Sequence, residues 1–267
     1  MTEDFELELI RPYLNRDCGL FLFEKTDSTN EQALLQVREG QALPLACFAE
    51  QQTQGRGRRG KVWISPPHSS IYLSLAWRFE VPVNELGGLS LAVGVAVVRV
   101  LKAIGLEQAG LKWPNDVLIE GRKIAGILIE TTQNTATATT AIIGIGLNFK
   151  MPEAATQLPD QPWTDVFSCL GETSPAGRNR VAGLLLKECM SICEGFSQFR
   201  DELLAEYRQY DICLQRPVNI YQDEARSLQG TVTGFEVNGA IRIEIDGEEQ
   251  LFNSADISLR KINHANH

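Results

Sequence analysis

Residues 55–60 form a short basic segment, Gly-Arg-Gly-Arg-Arg-Gly, directly after four polar residues. Glycine lets the backbone approach a ligand closely, and arginine binds a carboxylate or phosphate through two parallel hydrogen bonds. Backbone amides freed by glycine can also surround phosphate oxygens. The segment therefore predicts a loop that binds an anion. A mobile basic surface loop is the alternative that these residues alone leave open.

The spacing Gly-x-Gly-x-x-Gly also occurs in dinucleotide-binding folds. There a helix begins inside the loop, and an acidic residue follows about 20 positions later. In this chain the next residues, 61–64, read Lys-Val-Trp-Ile and have the pattern of a strand. The sequence therefore argues against a dinucleotide-binding loop.

A second motif, Lys-Trp-Pro-Asn-Asp at residues 112–116, precedes Lys123 on a predicted hairpin. Proline fixes its own backbone and restricts the residue before it, so Pro114 predicts a rigid elbow that holds Asn115 and Asp116. A carboxylate fixed in this way could bind Mg²⁺, or orient and deprotonate an amine. An ordinary turn and, at Lys123, a solvated charge are the alternatives.

The elements that must position these motifs alternate between strands and helices. Ser28 and Glu31 have capping-box spacing, which predicts a helix over residues 29–39 between apolar strands at 20–23 and 45–49. Other patterns predict a half-buried strand over 70–79, a long apolar helix over 82–104, a hairpin over 112–131, a strand over 139–147 and helical structure over 178–210.

The composition changes after about residue 214, where short strand patterns alternate with turns such as Asn238-Gly239. A series of such strands predicts a small β-barrel. We therefore expect an α+β protein with two domains. Residues 1–213 would form the main domain, and residues 214–267 would form the C-terminal barrel.

The composition, with 43% hydrophobic and 22% charged residues, is that of an ordinary globular protein. A net charge of −9 argues against broad nucleic-acid binding, although an acidic protein can still contain a basic pocket. The six cysteines form no CxxC pair, so we expect reduced, mostly buried thiols in the cytoplasm. We expect no secretory signal, and the apolar stretch 89–98 is too short to span a bilayer.

The motifs together resemble those of the biotin–protein ligases. The matching segments are residues 27–30 (Asp-Ser-Thr-Asn), Gln52 with residues 55–60, and residues 112–116, 122–128 and 144–148. Their order and spacing match over roughly residues 18–262. The resemblance implies a catalytic domain like that of class II aminoacyl-tRNA synthetases, with a central mixed sheet and packed helices, followed by a small SH3-like β-barrel.

The resemblance also implies a reaction in two steps. Biotin and MgATP give biotinyl-5′-AMP and pyrophosphate, and a lysine of a biotin carboxyl carrier protein, a subunit of acetyl-CoA carboxylase, then takes the biotin and releases AMP. Because the first step joins two anions, Arg56, Arg58, Lys123 and Mg²⁺ would neutralise them in a closed site. A loop that orders around the adenylate would protect it from water.

The roles implied for residues of this chain follow the matching motifs. Catalytic roles fall on Lys123, Arg58 and Asp116, and Asp116 is also the implied Mg²⁺ ligand. The biotin site would contain Ser28, Thr29, Asn30, Gln52, Arg56, Gly57, Arg58, Lys123 and Gly126. The ATP and adenylate site would contain Arg56, Arg58, Asn115, Lys123, Asn148 and Trp163.

Some biotin–protein ligases carry an N-terminal DNA-binding domain and repress biotin genes. Here about 17 residues precede the first predicted strand, so we expect a ligase that does not bind DNA or a membrane. We expect a monomer or a weak homodimer. A lipoate–protein ligase and a nucleic-acid-binding module built on the arginine loop are the two alternatives that the sequence leaves open.

Overall fold

The computed structural model describes residues 3–152, 161–171, 177–221, 227–254 and 257–261. The helices in these ranges are α1 (Leu7–Ile10), α2 (Thr29–Arg38), α3 (Leu89–Ala103), α4 (Val166–Leu170) and α5 (Arg178–Tyr210). The strands are β1 (Gly19–Thr26), β2 (Leu45–Gln52), β3 (Ser70–Phe79), β4 (Ala109–Lys112), β5 (Asp116–Ile119), β6 (Arg122–Thr135), β7 (Ala138–Asn148), β8 (Pro217–Tyr221), β9 (Ser227–Phe235), β10 (Ile241–Ile245), β11 (Glu248–Phe252) and β12 (Ser258–Lys261).

The first seven strands form one mixed sheet in the order β1-β2-β3-β7-β6-β5-β4. β1 and β2 are parallel and are joined through α2, whereas the other neighbouring strands are antiparallel. This arrangement confirms the predicted α+β class. The hairpin prediction is confirmed by β5 and β6, but strand β4, which extends the sheet at its edge, was not predicted.

Helices cover both faces of the sheet. α2 packs on β2, β3 and β7, and α3 and α5 pack together and against the sheet. Ala76 belongs to the small core under α2, whereas Leu73 and Leu75 belong to the main core. The prediction that β3 is half-buried is therefore wrong, because all its residues except Arg78 are buried.

The apolar helix predicted over residues 82–104 is interrupted. A 3₁₀ turn at Val83–Leu86 precedes two glycines, and α3 begins only at Leu89. Gly88 has a φ of 84°, which L side chains rarely adopt, and a Cβ on Gly87 would lie 2.7 Å from the carbonyl oxygen of Asn238. The glycines thus break the helix where the C-terminal sheet approaches it.

The segment Val83–Ala103 is, among the described residues, long and apolar enough to cross a membrane by length and composition alone. The apolar segment is therefore longer than the stretch 89–98 on which the sequence prediction rested. In this fold 67% of the segment's most apolar window is buried inside the protein, where α3 packs on α5 and the sheet. Apolar composition with this burial is that of a core helix.

The last strands form a separate five-stranded sheet in the order β11-β10-β9-β8-β12. Neighbouring strands are antiparallel, as expected for a small SH3-like domain. Among the described residues β11 and β12, at the two edges of this sheet, do not pair with each other. It docks on the main domain through Trp113, whose Nε1 donates to the carbonyl of Gly239 at 3.0 Å, and through an edge-on contact of Phe235 with Tyr207.

Two further predictions concern α5 and the cysteines. The predicted helical structure over 178–210 is confirmed as one helix, with a kink at Phe199 (φ −116°, ψ 23°). All six cysteines are free, and all except Cys169 are buried. Burial raises the pKa of the Cys18 and Cys47 thiols to about 12, which keeps them protonated.

Candidate active site

The floor of the candidate site is a flat patch of the main sheet on the face that α2 covers. Gly126 on β6 is the register partner of Gly146 on β7, and Gly144 is the partner of Ser74 on β3. A Cβ on Gly144 would lie 2.3 Å from Oδ1 of Asn30, and one on Gly146 would lie 2.4 Å from the ring of Trp63. Glycine is required here because side chains from elsewhere lie directly on the strands.

One wall of the site is the start of α2. Ser28, Thr29 and Asn30 are all buried, at 4%, 4% and 5% exposure. The backbone amide of Thr29 donates to Oε1 of Gln52 at 2.9 Å, and its hydroxyl lies 3.2 Å from the same oxygen. Gln52 stands at the end of β2, so the end of this strand fixes the first turn of the helix.

The capping box predicted from Ser28 and Glu31 does not form. Ser28 occupies the N-cap position, but its side chain makes no capping hydrogen bond. Instead the carboxylate of Asp27 accepts the amide N–H of Ser28 at 2.7 Å, and this bond lowers the pKa of Asp27. Because Asp27 and Gln52 satisfy amides at the helix start, the Ser28 hydroxyl is released from capping.

The amide group of Asn30 is fixed from both sides. The hydroxyl of Ser74 donates to Asn30 Oδ1 at 2.6 Å, and Asn30 Nδ2 donates to Oε2 of Glu130 at 2.7 Å. The Ser74 and Thr29 hydroxyl oxygens also lie 2.7 Å apart. These bonds order a buried polar network across α2, β3 and β6.

Residues 55–60, which we call the lid, form a tight loop that closes on itself. The amide of Gly57 donates to the carbonyl of Lys61 at 2.7 Å, and the amide of Trp63 donates to the carbonyl of Gly55 at 2.8 Å. The predicted strand over residues 61–64 is wrong, because only Val62 forms a single bridge, to Arg56. These residues pair with the lid and not with the sheet.

The two arginines of the lid that were predicted to bind ligand have different partners. Nη2 of Arg56 lies 2.7 Å from a carboxylate oxygen of Glu31 and 3.0 Å from one of Glu130. Arg58 donates to Oδ1 of Asn115 at 3.4 Å and to the carbonyl of Ser254 in the turn after β11. Desolvation, with the neighbouring charge of Arg59, lowers the pKa of Arg58.

Lys123 lies above the glycine floor. Its Nζ is 2.5 Å from Oδ1 of Asp116 and 5.1 Å from the centre of the Trp63 ring. Asp116 is the register partner of Gly126, so the carboxylate stands beside the floor glycines. A cation, a carboxylate and an aromatic ring therefore meet at one point of the site.

The rigid elbow predicted at Trp113-Pro114 is formed by a cis peptide bond and a buried tryptophan. Asn115 follows it and makes two hydrogen bonds with Ile127, its amide Nδ2 donating at 2.8 Å and its carbonyl accepting at 3.0 Å. The elbow thus fixes Asn115 against β6, between Arg58 and the floor.

Asn148 and Trp163 lie at the far end of the floor. Trp163 forms a bridge with Lys123, and Asn148 Nδ2 donates to the carbonyl of Thr164 at 3.0 Å. Asn148 therefore fastens the segment that contains Trp163 to the end of β7.

The sequence prediction missed several residues of the site. Trp63 lies over Gly126 and Gly146, and its buried Nε1 has no hydrogen-bond partner among the described residues. Ser65 accepts from Nε2 of Gln52 at 3.0 Å, and Glu130 joins Asn30 to Arg56. The sequence did contain one signal for Trp63. Glycines alternate along β7 at Gly144 and Gly146, which indicates that a bulky side chain from elsewhere lies on that strand, and Trp63 is an aromatic residue close after the lid.

The site residues are compatible with a magnesium ion that arrives with a nucleotide. Mg²⁺ usually keeps several waters and binds through one or two carboxylates and the substrate phosphates. Asp116 offers one such carboxylate beside Lys123. In the described part of the chain, a second group of possible metal ligands, Asp4, Glu50 and His68, lies outside this site. The buried carboxylate of Glu50 in that group is already paired with Arg178 at 2.5 Å.

Known proteins resemble this chain over most of its length. The model of the biotin/lipoate A/B protein ligase family matches residues 22–148. The bifunctional ligase/repressor BirA of Escherichia coli is 35% identical over 242 residues, which are 88% of this chain and 72% of that protein. The biotin–[acetyl-CoA-carboxylase] ligase of Mycobacterium tuberculosis is 33% identical over 240 residues, or 87% and 86% of the two chains.

Among solved structures, the biotin protein ligase of Aquifex aeolicus in complex with biotin and ATP superposes with a TM-score of 0.72. It is 25% identical, and the match covers 91% of this chain and 99% of that one. Fold and site together define a ligase of the biotin and lipoate class. The chain belongs to the biotin–protein ligase family.

Proposed function

We propose that this protein activates biotin with MgATP to biotinyl-5′-AMP and transfers biotin to one lysine of a biotin carboxyl carrier protein. The observation that carries this proposal is the position of Lys123 over the glycine floor, with Arg58 of the lid held beside it at Asn115. Two cations so placed suit a ring system that ends in a carboxylate. The family relationship supports biotin over lipoate as that acid.

The polar wall at the start of α2 suits the ring system of biotin. Ser28, Thr29, Asn30 and Gln52 provide hydroxyl and amide groups held in fixed orientations by the network described above. Gly126 and Gly146 leave room for the Trp63 ring, which lies over this part of the floor and offers an aromatic surface to the pocket. Arg56 and Gly57 contribute by building the lid that covers the acid.

In the first step a biotin carboxylate oxygen attacks the α-phosphorus of ATP, and the bond to pyrophosphate breaks. Lys123 and Arg58 neutralise the carboxylate and phosphate charges that must approach each other. Asn115, Asn148 and Trp163 would hold the nucleotide on either side of Lys123. Mg²⁺, when bound with ATP beside Asp116, would add positive charge to the phosphates.

In the second step the amine of the carrier lysine attacks the carbonyl carbon of the mixed anhydride. The C–N bond forms, the bond to the phosphate oxygen breaks, and AMP leaves. Asp116 stands beside Lys123 and can orient the incoming ammonium and accept its proton. The lid keeps water from the anhydride until the carrier arrives.

The wider setting follows from the same proposal. We infer a cytoplasmic enzyme, because its carrier and its reduced thiols belong there. We further propose a monomer or weak homodimer with domains at residues 1–213 and 214–267. In that arrangement the C-terminal domain supports the elbow at Trp113 and the lid at Arg58.

Calorimetric titration with biotin and with lipoate tests the choice of acid. We expect biotin to bind and lipoate to bind at least about 100-fold more weakly, because the wall of amides and hydroxyls has no partner in a lipoate ring. Pyrophosphate release from ATP should then depend on biotin. Tight lipoate binding with no biotin binding would show that the protein is a lipoate–protein ligase.

A further inference from the structure

The side chain of Arg56 reaches two carboxylates, one on a helix and one on a strand of the main sheet. Glu31 belongs to α2 and Glu130 belongs to β6, and both oxygens lie within 3.0 Å of the same guanidinium nitrogen. The side chains of all three residues are 40–42% exposed. Arg56 therefore joins the lid to α2 and to β6.

The charge around Arg56 is already compensated. Two carboxylates face one guanidinium, so the local sum is negative and does not attract a further anion. Arg58 differs, since it donates only to uncharged oxygens and forms no ion pair within the described ranges. An approaching carboxylate or phosphate would thus be drawn to Arg58 and not to Arg56.

Glu130 also connects this ion pair with the pocket wall. Its Oε2 accepts Nδ2 of Asn30 at 2.7 Å and Nη2 of Arg56 at 3.0 Å. Asn30 is in turn held by Ser74 at 2.6 Å. One carboxylate oxygen of Glu130 thus links Asn30 in the wall to Arg56 in the lid. A displacement of either side chain therefore alters the hydrogen bond of the other.

We propose that the Arg56 side chain is the anchor of the lid and that Glu31 and Glu130 are positioning residues that hold the lid in register with the biotin pocket. The inference rests on the proposed function only in naming biotin as the molecule under the lid. In this arrangement the side chain of Arg56 does not contact the reacting anions. Glu31 and Glu130 reach the reaction only through the lid.

Trypsin digestion of the full, ligand-free chain tests the anchor, because the lid and its next residue carry the cleavage sites Arg56, Arg58, Arg59 and Lys61. Exposed ion pairs are individually weak, so each of Glu31→Gln and Glu130→Gln should speed cleavage within residues 58–61 by about threefold. The double variant should speed it by about tenfold. Mass spectrometry of the fragments gives the rate at each bond.

Glu80→Gln is the matched control. Glu80 forms an exposed ion pair with Arg78 at 2.7 Å, away from the lid, and its substitution removes the same charge. It should leave lid cleavage unchanged. Thermal melts of all variants must agree, so that faster cleavage reports the lid and not global unfolding. An unchanged rate in the folded double variant would overturn the proposal.

A variant cycle with Arg56→Ala separates anchoring from a general effect of charge. In the Arg56→Ala background, Glu31→Gln and Glu130→Gln should add nothing to cleavage at Arg58, because their shared partner is gone. Full additivity would contradict the anchor. The cleavage rates are measured without ligand, so they test the anchor whether the protein binds biotin or lipoate. The calorimetric titrations test the choice of acid and do not depend on the anchor.

If the anchor is correct, Glu130→Gln should also raise KM for biotin by about threefold to tenfold and leave kcat of adenylate formation within about twofold. Glutamine can still accept from Asn30, so the wall is kept while the charge that holds Arg56 is removed. A loss in kcat with unchanged KM would mean that Glu130 acts on the chemical step, which would refute the positioning role.

Discussion

Arg56 and Arg58 are two residues apart in one loop, yet their surroundings differ in the property that matters most for binding anions. Arg56 faces two carboxylates on α2 and β6. Arg58 is partly desolvated against the uncharged oxygens of Asn115 and Ser254. The charge of Arg56 is therefore used to anchor the lid, whereas the charge of Arg58 is available to an anionic ligand. The neighbouring side chains, and not the residue type, determine this difference.

Lys123 lies between these two cases, because a single carboxylate, Asp116, compensates its charge. Charge compensation thus increases from Arg58 through Lys123 to Arg56. The comparison predicts that substitutions at Arg58 and Lys123 act on the chemistry and on retention of the intermediate. Substitutions at Arg56 should act on the lid alone.

The largest effect is expected for Lys123→Ala. Removing a cation placed where two anions must meet should lower the rate of adenylate formation by about 1000-fold. Biotin-dependent pyrophosphate release gives that rate. Lys61→Ala, which removes an exposed charge beside the lid, is the control and should change it less than twofold. Pyrophosphate release near the wild-type rate in Lys123→Ala would remove Lys123 from the mechanism.

A substitution in the floor should come next. The Cβ of Gly146→Ala would lie 2.4 Å from the Trp63 ring, so the ring must move and biotin affinity should fall by about 100-fold. Gly60→Ala in the lid is the contrast, since a Cβ there meets nothing within 4 Å and only its positive φ is strained. Calorimetry should show a much smaller loss for Gly60→Ala. Equal losses would mean that the floor is not the biotin surface.

Arg58→Gly tests retention of the intermediate. Without this charge the adenylate should leave the site about tenfold faster or more, and it should label lysines on bystander proteins. Mass spectrometry of a mixture of the carrier and an unrelated protein measures this labelling. Arg56→Gly should loosen the lid but label bystanders less than Arg58→Gly does. Labelling confined to the carrier in Arg58→Gly would contradict the retention role.

The smallest effect concerns Asp27, whose carboxylate holds the amide of Ser28. The bond lowers the pKa of Asp27 below its ordinary value of 3.8. The ionised carboxylate therefore stabilises the folded turn at pH values above 3.8, and this stabilisation is lost as the pH falls through the lowered pKa. Biotin affinity should therefore be flat near neutral pH and fall about threefold at acidic pH where the protein is still folded. Asp27→Asn should remove this pH dependence, and an unchanged profile would rule out Asp27 as its source.

Much of the fold could be predicted because its strands and helices follow local patterns. Residues 20–23, 45–49 and 139–147 lie within β1, β2 and β7, and the motifs that surround the floor lie at the ends of these elements. The predicted helix over 29–39 was also close to α2, although its capping box was wrong. Competition for the helix amides by Gln52, 23 residues away, is not visible in a local pattern.

The remaining differences come from contacts between distant segments. Glu130 lies 74 residues after Arg56, so no spacing rule connects them. The strand predicted at residues 61–64 failed because an apolar pattern cannot show whether a segment joins a sheet or folds back on a loop. The break before α3 depends on the approach of Asn238, which lies about 150 residues later in the turn between β9 and β10. The binding of anions by the arginines and Lys123 could be predicted from residue types. The residues that contact each of these side chains could be identified only from the fold.

The most direct test of the central claim is intact-mass spectrometry of an unmodified biotin carrier domain incubated with this protein, biotin and MgATP. The account predicts a mass increase of one biotin, on a single lysine, that requires both biotin and ATP. It also predicts that the increase disappears with Lys123→Ala. No increase with biotin, or an increase with lipoate in its place, would contradict the assignment of this chain as a biotin–protein ligase.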